Sequence, residues 1–89
     1  MRTSRQEEVL RAFGAALRTA RTRAAVTQEE LAERAGLHRT YVGAVERGER
    51  NVSLLNIISL AEGLACRPAD LLSDLDDARG AAESAASHR

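Results

Sequence analysis

Apolar residues recur at helical spacing along most of this 89-residue chain. Leu10, Phe13, Leu17 and Ala20 share one face, predicting a first helix that runs to about Arg23. Its expected start is the capping box "SRQE", Ser4 with Glu7. "TQEE" at 27–30 is a second capping box, Thr27 with Glu30. It opens a short helix that turns Leu31, Ala32 and Ala35 inward, and Gly36 is placed to end it in the left-handed conformation. A third helix, about 39–47, buries Val42 and Val45 and stops at Gly48. Ser53 caps a fourth, whose apolar stripe is Leu54, Ile57, Ile58, Ala61 and Leu64. Pro68 suits the first turn of a fifth, followed by Leu71, Leu72 and Leu75. From Gly80 onward "GAAESAASHR" has small residues and no anchor, so a disordered tail is expected at 80–89. There is no strand pattern and no repeat. The expectation is an all-α fold of five helices, one domain over 1–79.

Composition narrows the functional classes. One Phe and one Tyr leave the core to Leu, Val, Ile and Ala. No run approaches the roughly 18 apolar residues of a membrane span, and no leader-like apolar segment follows the N-terminus. Cys66 stands alone, which excludes a disulfide framework and points to a reducing, cytoplasmic setting. Two histidines and one cysteine, widely spaced, make no metal site, and no nucleophile–base or carboxylate pair suggests an enzyme. No cofactor, metal or small-molecule ligand is expected. The net charge is zero but unevenly spread. Residues 1–25 carry six Arg against two Glu, and residues 51–89 carry three Arg against six acids. A basic front and an acidic back can turn one face toward an anion.

Two features of the middle of the chain belong together. The second and third helices are joined by "GLH", a connection short enough to hold them at a steep angle as a helix-turn-helix. The third helix then opens with His38 and Arg39, positive charge at the end where the macrodipole disfavours it by roughly 0.3–1 kcal/mol. A locally unfavourable choice of this kind marks a functional position.

The stretch "TQEELAERAGLHRTYVGAVERGERNVSLLNI" resembles the helix-turn-helix of the Cro/CI (XRE) regulators. Within it, "HRTYVGAVERGERNVSLLNI" is most similar to the controller proteins of restriction–modification systems. "LRTAR" at 17–21 and "PADLL" at 68–72 fit the same family. The resemblance implies a lambda-repressor-like domain whose third helix enters the major groove of double-stranded DNA. It assigns base readout to Arg39, Thr40 and Arg50, and backbone contacts or support to Gln28, Tyr41, Arg47, Asn51 and Ser53. It makes Arg21 and Glu46 a structural ion pair linking the first and third helices. Gly43 and Ala44 are read as small residues that let the helix backbone approach the groove.

One short recognition helix reads few base pairs, so a homodimer on a palindrome is expected. Surplus apolar residues Ile58, Leu64, Leu71, Leu72 and Leu75 are the candidate two-fold interface. A tetramer on DNA and a contact between the acidic back and RNA polymerase stay open. So do an antitoxin-type repressor and a protein-interaction module that keeps the fold without DNA binding. Three positions depart from the family pattern: Ala24–Ala25 and Ala65 stand where glycine is usual, and Arg67 replaces a Ser or Thr before Pro68.

Overall fold

A computed structural model describes residues 1–76. The helices are α1 (Ser4–Arg23), α2 (Gln28–Ala35), α3 (Arg39–Glu46), α4 (Leu54–Gly63) and α5, residues 68–76. The tail expected at 80–89 and the domain boundary at 79 lie outside the described residues. Five helices therefore stand where five were expected, and the cap that starts α1 differs. Thr3, not Ser4, is the N-cap: its hydroxyl accepts from Gln6 N–H at 3.1 Å and its own N–H donates to Gln6 Oε1 at 2.9 Å. "TSRQE" contains two overlapping boxes, and starting one residue earlier adds the Glu7 N–H bond to Thr3 O at 3.0 Å. Thr27 with Glu30 forms the second box, and Ser53 Oγ accepts Asn56 N–H at the start of α4.

The core is one cluster: Phe13 and Leu17 of α1, Val26, Leu31 and Ala32 of α2, Val42 and Val45 of α3, Leu60, Ala61 and Leu64, and Leu71 of α5. α2 packs on both α3 and α4, and α1 packs on α3, so α3 is wedged between two partners. On α4 the stripe is rotated from the expected one. Leu60 is fully buried, while Leu54 is 69% exposed. Six of its first eight residues are apolar, so the periodicity selects no face, and the face that meets α2 is centred on Ile57, Leu60, Ala61 and Leu64.

Two alanines carry backbone strain. Ala25 and Ala65 sit in the left-handed region at φ 58° and 55°. Each follows a helix end closed by a long backward bond, Val26 N–H to Arg21 O at 3.2 Å and Cys66 N–H to Ala61 O at 2.9 Å. That closure requires one residue of positive φ, the conformation glycine adopts freely. An L-residue there costs about 1–2 kcal/mol, part of which alanine returns by restricting the unfolded chain. Ala25→Gly and Ala65→Gly are each expected to raise stability by about 0.5–1 kcal/mol in urea unfolding. A fall in stability in either variant would contradict the strain. Arg67 replaces the usual cap differently: its N–H donates to Asp70 Oδ2 at 3.0 Å and its guanidinium to Oδ1 at 3.2 Å. The carboxylate of the third helical residue thus reaches back where a hydroxyl is missing, and these bonds pull the Asp70 pKa down.

Candidate nucleic-acid interface

The turn between α2 and α3 is built by Gly36, Leu37 and His38. Gly36 adopts φ 70°, allowing Leu37 N–H to bond Ala32 O at 2.8 Å, while the Leu37 side chain packs on the core. His38 is the N-cap of α3 but makes no side-chain cap bond, and the first turn of α3 holds no acid. The first N–H groups of this helix therefore face outward, with Arg39 and Thr40 both exposed beside them. Among the described residues Arg39 forms no ion pair. A positive guanidinium next to an uncapped helix start is a combination that attracts anions.

Behind this edge lies a cleft of about 400 Å³ lined by His38, Thr40, Tyr41, Arg50 and Asn56, among others. Tyr41 organises it. Its hydroxyl donates to Asn51 O and accepts from Asn56 Nδ2, both at 3.1 Å, joining α3 to the following loop and to α4. The Arg50 guanidinium stacks 5.2 Å from the Tyr41 ring centre, a cation–π contact that holds the charge in the cleft that Thr40 also lines. Asn51 Oδ1 accepts Val52 N–H at 2.9 Å, which orients its amide and leaves the Nδ2 donors outward. Arg47 is exposed and paired with Glu49 at 3.1 Å, an arrangement that lowers the Glu49 pKa.

The support beneath α3 is polar and closed. Arg21 Nε donates to Glu46 Oε2 at 2.6 Å and Arg21 Nη2 to Oε1 at 3.1 Å, a two-point fork. The side chains retain only 15% and 3% of their exposure. Gln28 Nε2 adds a third bond to Glu46 Oε1 at 2.9 Å, and Arg21 Nη1 donates to Val26 O at 2.9 Å. The hydrogen bond to Glu46 raises the Arg21 pKa further. One carboxylate at the end of α3 thereby ties down α1 and α2. Gln28 is committed inward by this bond, so its amide nitrogen points at Glu46 and not at solvent. Gly43 also faces inward: a Cβ there would lie 3.2 Å from Arg47 Nη1 and 3.4 Å from Gln28 Oε1.

The surface expected for self-association needs correction. Leu64 and Leu71 are core residues at 9% and 0% exposure, buried by their own chain. Leu72 and Leu75 pack against the core as its half-buried margin. Of the five, Ile58 alone lies outside both the core and that margin. Among the described residues after Met1, the exposed large apolar side chains are instead Leu54 and Leu55, at 69% and 74% exposure. Leu55 is inconspicuous in the sequence because it falls off the inward stripe, and that position off the stripe is the available signal. Cys66 packs against the core; burial and the Asp70 charge raise its pKa, which keeps it a thiol. No group of His, Cys, Asp and Glu among the described residues could hold a metal ion. No described helix is long and apolar enough to cross a membrane.

Two short helices joined by a three-residue turn, the second opening on an exposed arginine, are the arrangement of a helix-turn-helix, and a family model of that description matches residues 17–71. The chain belongs to this helix-turn-helix family and is a DNA-binding regulator of the Cro/CI (XRE) type. It is similar to restriction–modification controller proteins. It is 62% identical over 39 residues to the control protein C.SmaI of Serratia marcescens, a match spanning 44% of this chain and 46% of that protein. C.AhdI of Aeromonas hydrophila, 53% identical, superposes with a TM-score of 0.69 over 70% of this chain and 94% of its own. The C.Esp1396I tetramer, solved in complex with its natural 35 base-pair operator, is 26% identical with a TM-score of 0.70, covering 79% of this chain and 92% of its own.

Proposed function

We propose that the chain is a homodimeric, sequence-specific regulator of a restriction–modification operon, without catalytic activity and acting in the cytoplasm. The observation that supports this most is the start of α3: exposed Arg39 and Thr40 at an uncapped helix N-terminus, with Arg50 held alongside by Tyr41. In the major groove, Arg39 donates its fork to guanine O6 and N7, and the Thr40 methyl meets a thymine methyl. A good bidentate pair discriminates by about 1–3 kcal/mol. Arg50 supplies a further contact at the groove edge. Asn51 Nδ2, Arg47 and the N-terminus of α4 hold backbone phosphates and set the register. The Arg39 charge, unfavourable at the helix start when free, becomes favourable once phosphate and base acceptors surround it.

Two copies place their recognition helices in successive major grooves, about 34–36 Å apart. The interface we assign is Leu54, Leu55 and Ile58, which lie within about 100° of the α4 circumference. It adjoins Asn51 and Ser53, so the two-fold axis passes close to the DNA face. Burying four leucines across the axis contributes about 1.5–3 kcal/mol each. By sedimentation equilibrium the wild type is expected at twice its 9.6 kDa chain mass, and Leu54→Ser/Leu55→Ser at the chain mass. A double variant that keeps the dimer mass would place the interface elsewhere.

A further inference from the structure

Beside the α3–α4 loop, the first turns of α1 and the loop enclose a second cleft. Its volume is about 300 Å³ and it is lined by Arg2, Arg5, Gln6, Val9, Leu10 and Asn51. No carboxylate is among these residues. Both amide side chains have their oxygens already used: Gln6 Oε1 accepts Thr3 N–H and Asn51 Oδ1 accepts Val52 N–H, each at 2.9 Å. Their NH₂ groups have no hydrogen-bond partner among the described residues. Arg2 and Arg5 add two exposed guanidiniums, and neither pairs with a described carboxylate. Arg2 Nη2 is also bonded to Glu49 O at 2.6 Å, bridging from before α1 onto the loop. The polar side chains of the lining thus offer donors and no carboxylate, beside apolar Val9 and Leu10. A group with several acceptor oxygens and negative charge is the complement of such a lining.

We infer that this cleft grips a backbone phosphate of the operator, outside the base pairs read by α3. The inference rests on the DNA-binding reading above and extends the contact surface from α3 and its loop to the N-terminus of α1. Asn51 belongs to both surfaces: one edge of its loop faces the groove and its amide closes the cleft. A phosphate held here tethers α1 directly to the duplex and resists rotation of the domain about the recognition helix. Because phosphates carry no sequence information, the contribution is to affinity and orientation, not to base preference.

The test is fluorescence anisotropy across a salt series, on a duplex from immediately upstream of the gene and on a scrambled duplex. The full chain, Arg2→Ala/Arg5→Ala and Arg2→Lys/Arg5→Lys are compared. Each phosphate left without its cationic partner lowers the slope of log affinity against log salt by about 0.9. With one such cleft in each protomer of the dimer, the alanine pair is expected to lower it by about 1.8 and to weaken binding to both duplexes by the same factor. The lysine pair, which keeps the charge, is expected to retain the wild-type slope. A wild-type slope in the alanine pair overturns the cleft and leaves the regulator reading intact. Absence of salt-dependent binding by the wild type itself overturns both. Weakening confined to the upstream duplex also overturns the phosphate assignment, since it would mean base readout.

Discussion

Glu46→Ala is expected to destabilise the fold by about 3–5 kcal/mol, because it removes one partner of a buried ion pair and leaves the other charge unpaired. The carboxylate is nearly inaccessible and accepts three bonds, two from Arg21 and one from Gln28. Its removal leaves the Arg21 guanidinium in a half-closed site with only the Val26 carbonyl. For a small domain with about 5–15 kcal/mol of total stability this is a large share. It corresponds to a fall of roughly 15–30 °C in Tm. The effect reaches function as well. Glu46 is the last residue of α3, so the same carboxylate that joins α1 and α2 also fixes the direction in which the recognition helix points. Thermal unfolding tests the stability, and the pair Arg21→Met/Glu46→Leu tests its cause. An apolar pair of similar volume avoids the stranded charge and is expected to recover most of the deficit. Equal destabilisation by the single and double variants would show that packing, not charge, governs the site.

Gly14→Ala is the second large effect, with a sign opposite to propensity. In a helix interior alanine is better than glycine by about 1 kcal/mol. Here a Cβ would be driven into the carbonyl of Val45 and would lie 2.5 Å from the Glu46 carbonyl oxygen. Both obstacles are backbone at the end of α3, so no rotamer change relieves them. α1 and α3 must move apart, which opens the packing between Phe13, Leu17, Val42 and Val45 at the centre of the core. Overpacking of this kind costs about 1–3 kcal/mol and sometimes more. A net destabilisation of about 2–3 kcal/mol is expected in urea unfolding, after the propensity gain is included. A neutral or stabilised Gly14→Ala would mean that α1 and α3 stand further apart than described. The displaced α3 is also expected to weaken specific DNA binding, since Gly14 sets the depth at which that helix sits against α1.

How legible these features are in the sequence depends on whether they are local. The Thr27–Glu30 box, the Gly36 turn and the Ser53 cap each satisfy backbone groups within five residues, so the residue types alone identify them. The start of α1 is displaced by one from its expected place because two boxes overlap in "TSRQE" and only the added backbone bond separates them. Gly14 gives no signal: its reason is the carbonyl of a helix some thirty residues further along. The same holds for Gln28, whose partner Glu46 is brought to it by the packing of α2 on α3. Leu54, Leu64 and Leu71 depart from their expected surroundings for a related cause. Sequence supplies a surplus of apolar residues in α4 and α5, but only the position of α2 and α3 decides which of them are covered. The exposed residues at the start of α3 are easier to read because Arg39 contradicts the local preference of a helix N-terminus. The resemblance to the XRE regulators names what that contradiction is for. The cleft between α1 and the loop requires both the cap that orients Gln6 and the turn that orients Asn51, and neither orientation is visible in residue order.

The proposed function rests on base readout by the start of α3, and one measurement addresses it directly. Anisotropy titrations of the wild type and Arg39→Ala, at fixed salt, compare the duplex immediately upstream of the gene with a scrambled one of equal length. The wild type is expected to prefer the upstream duplex by about 10³-fold or more. Arg39→Ala is expected to bind both about equally, with its affinity for the scrambled duplex changed little. Undiminished preference in Arg39→Ala, or no preference in the wild type, would contradict a specific regulator that reads DNA through this helix.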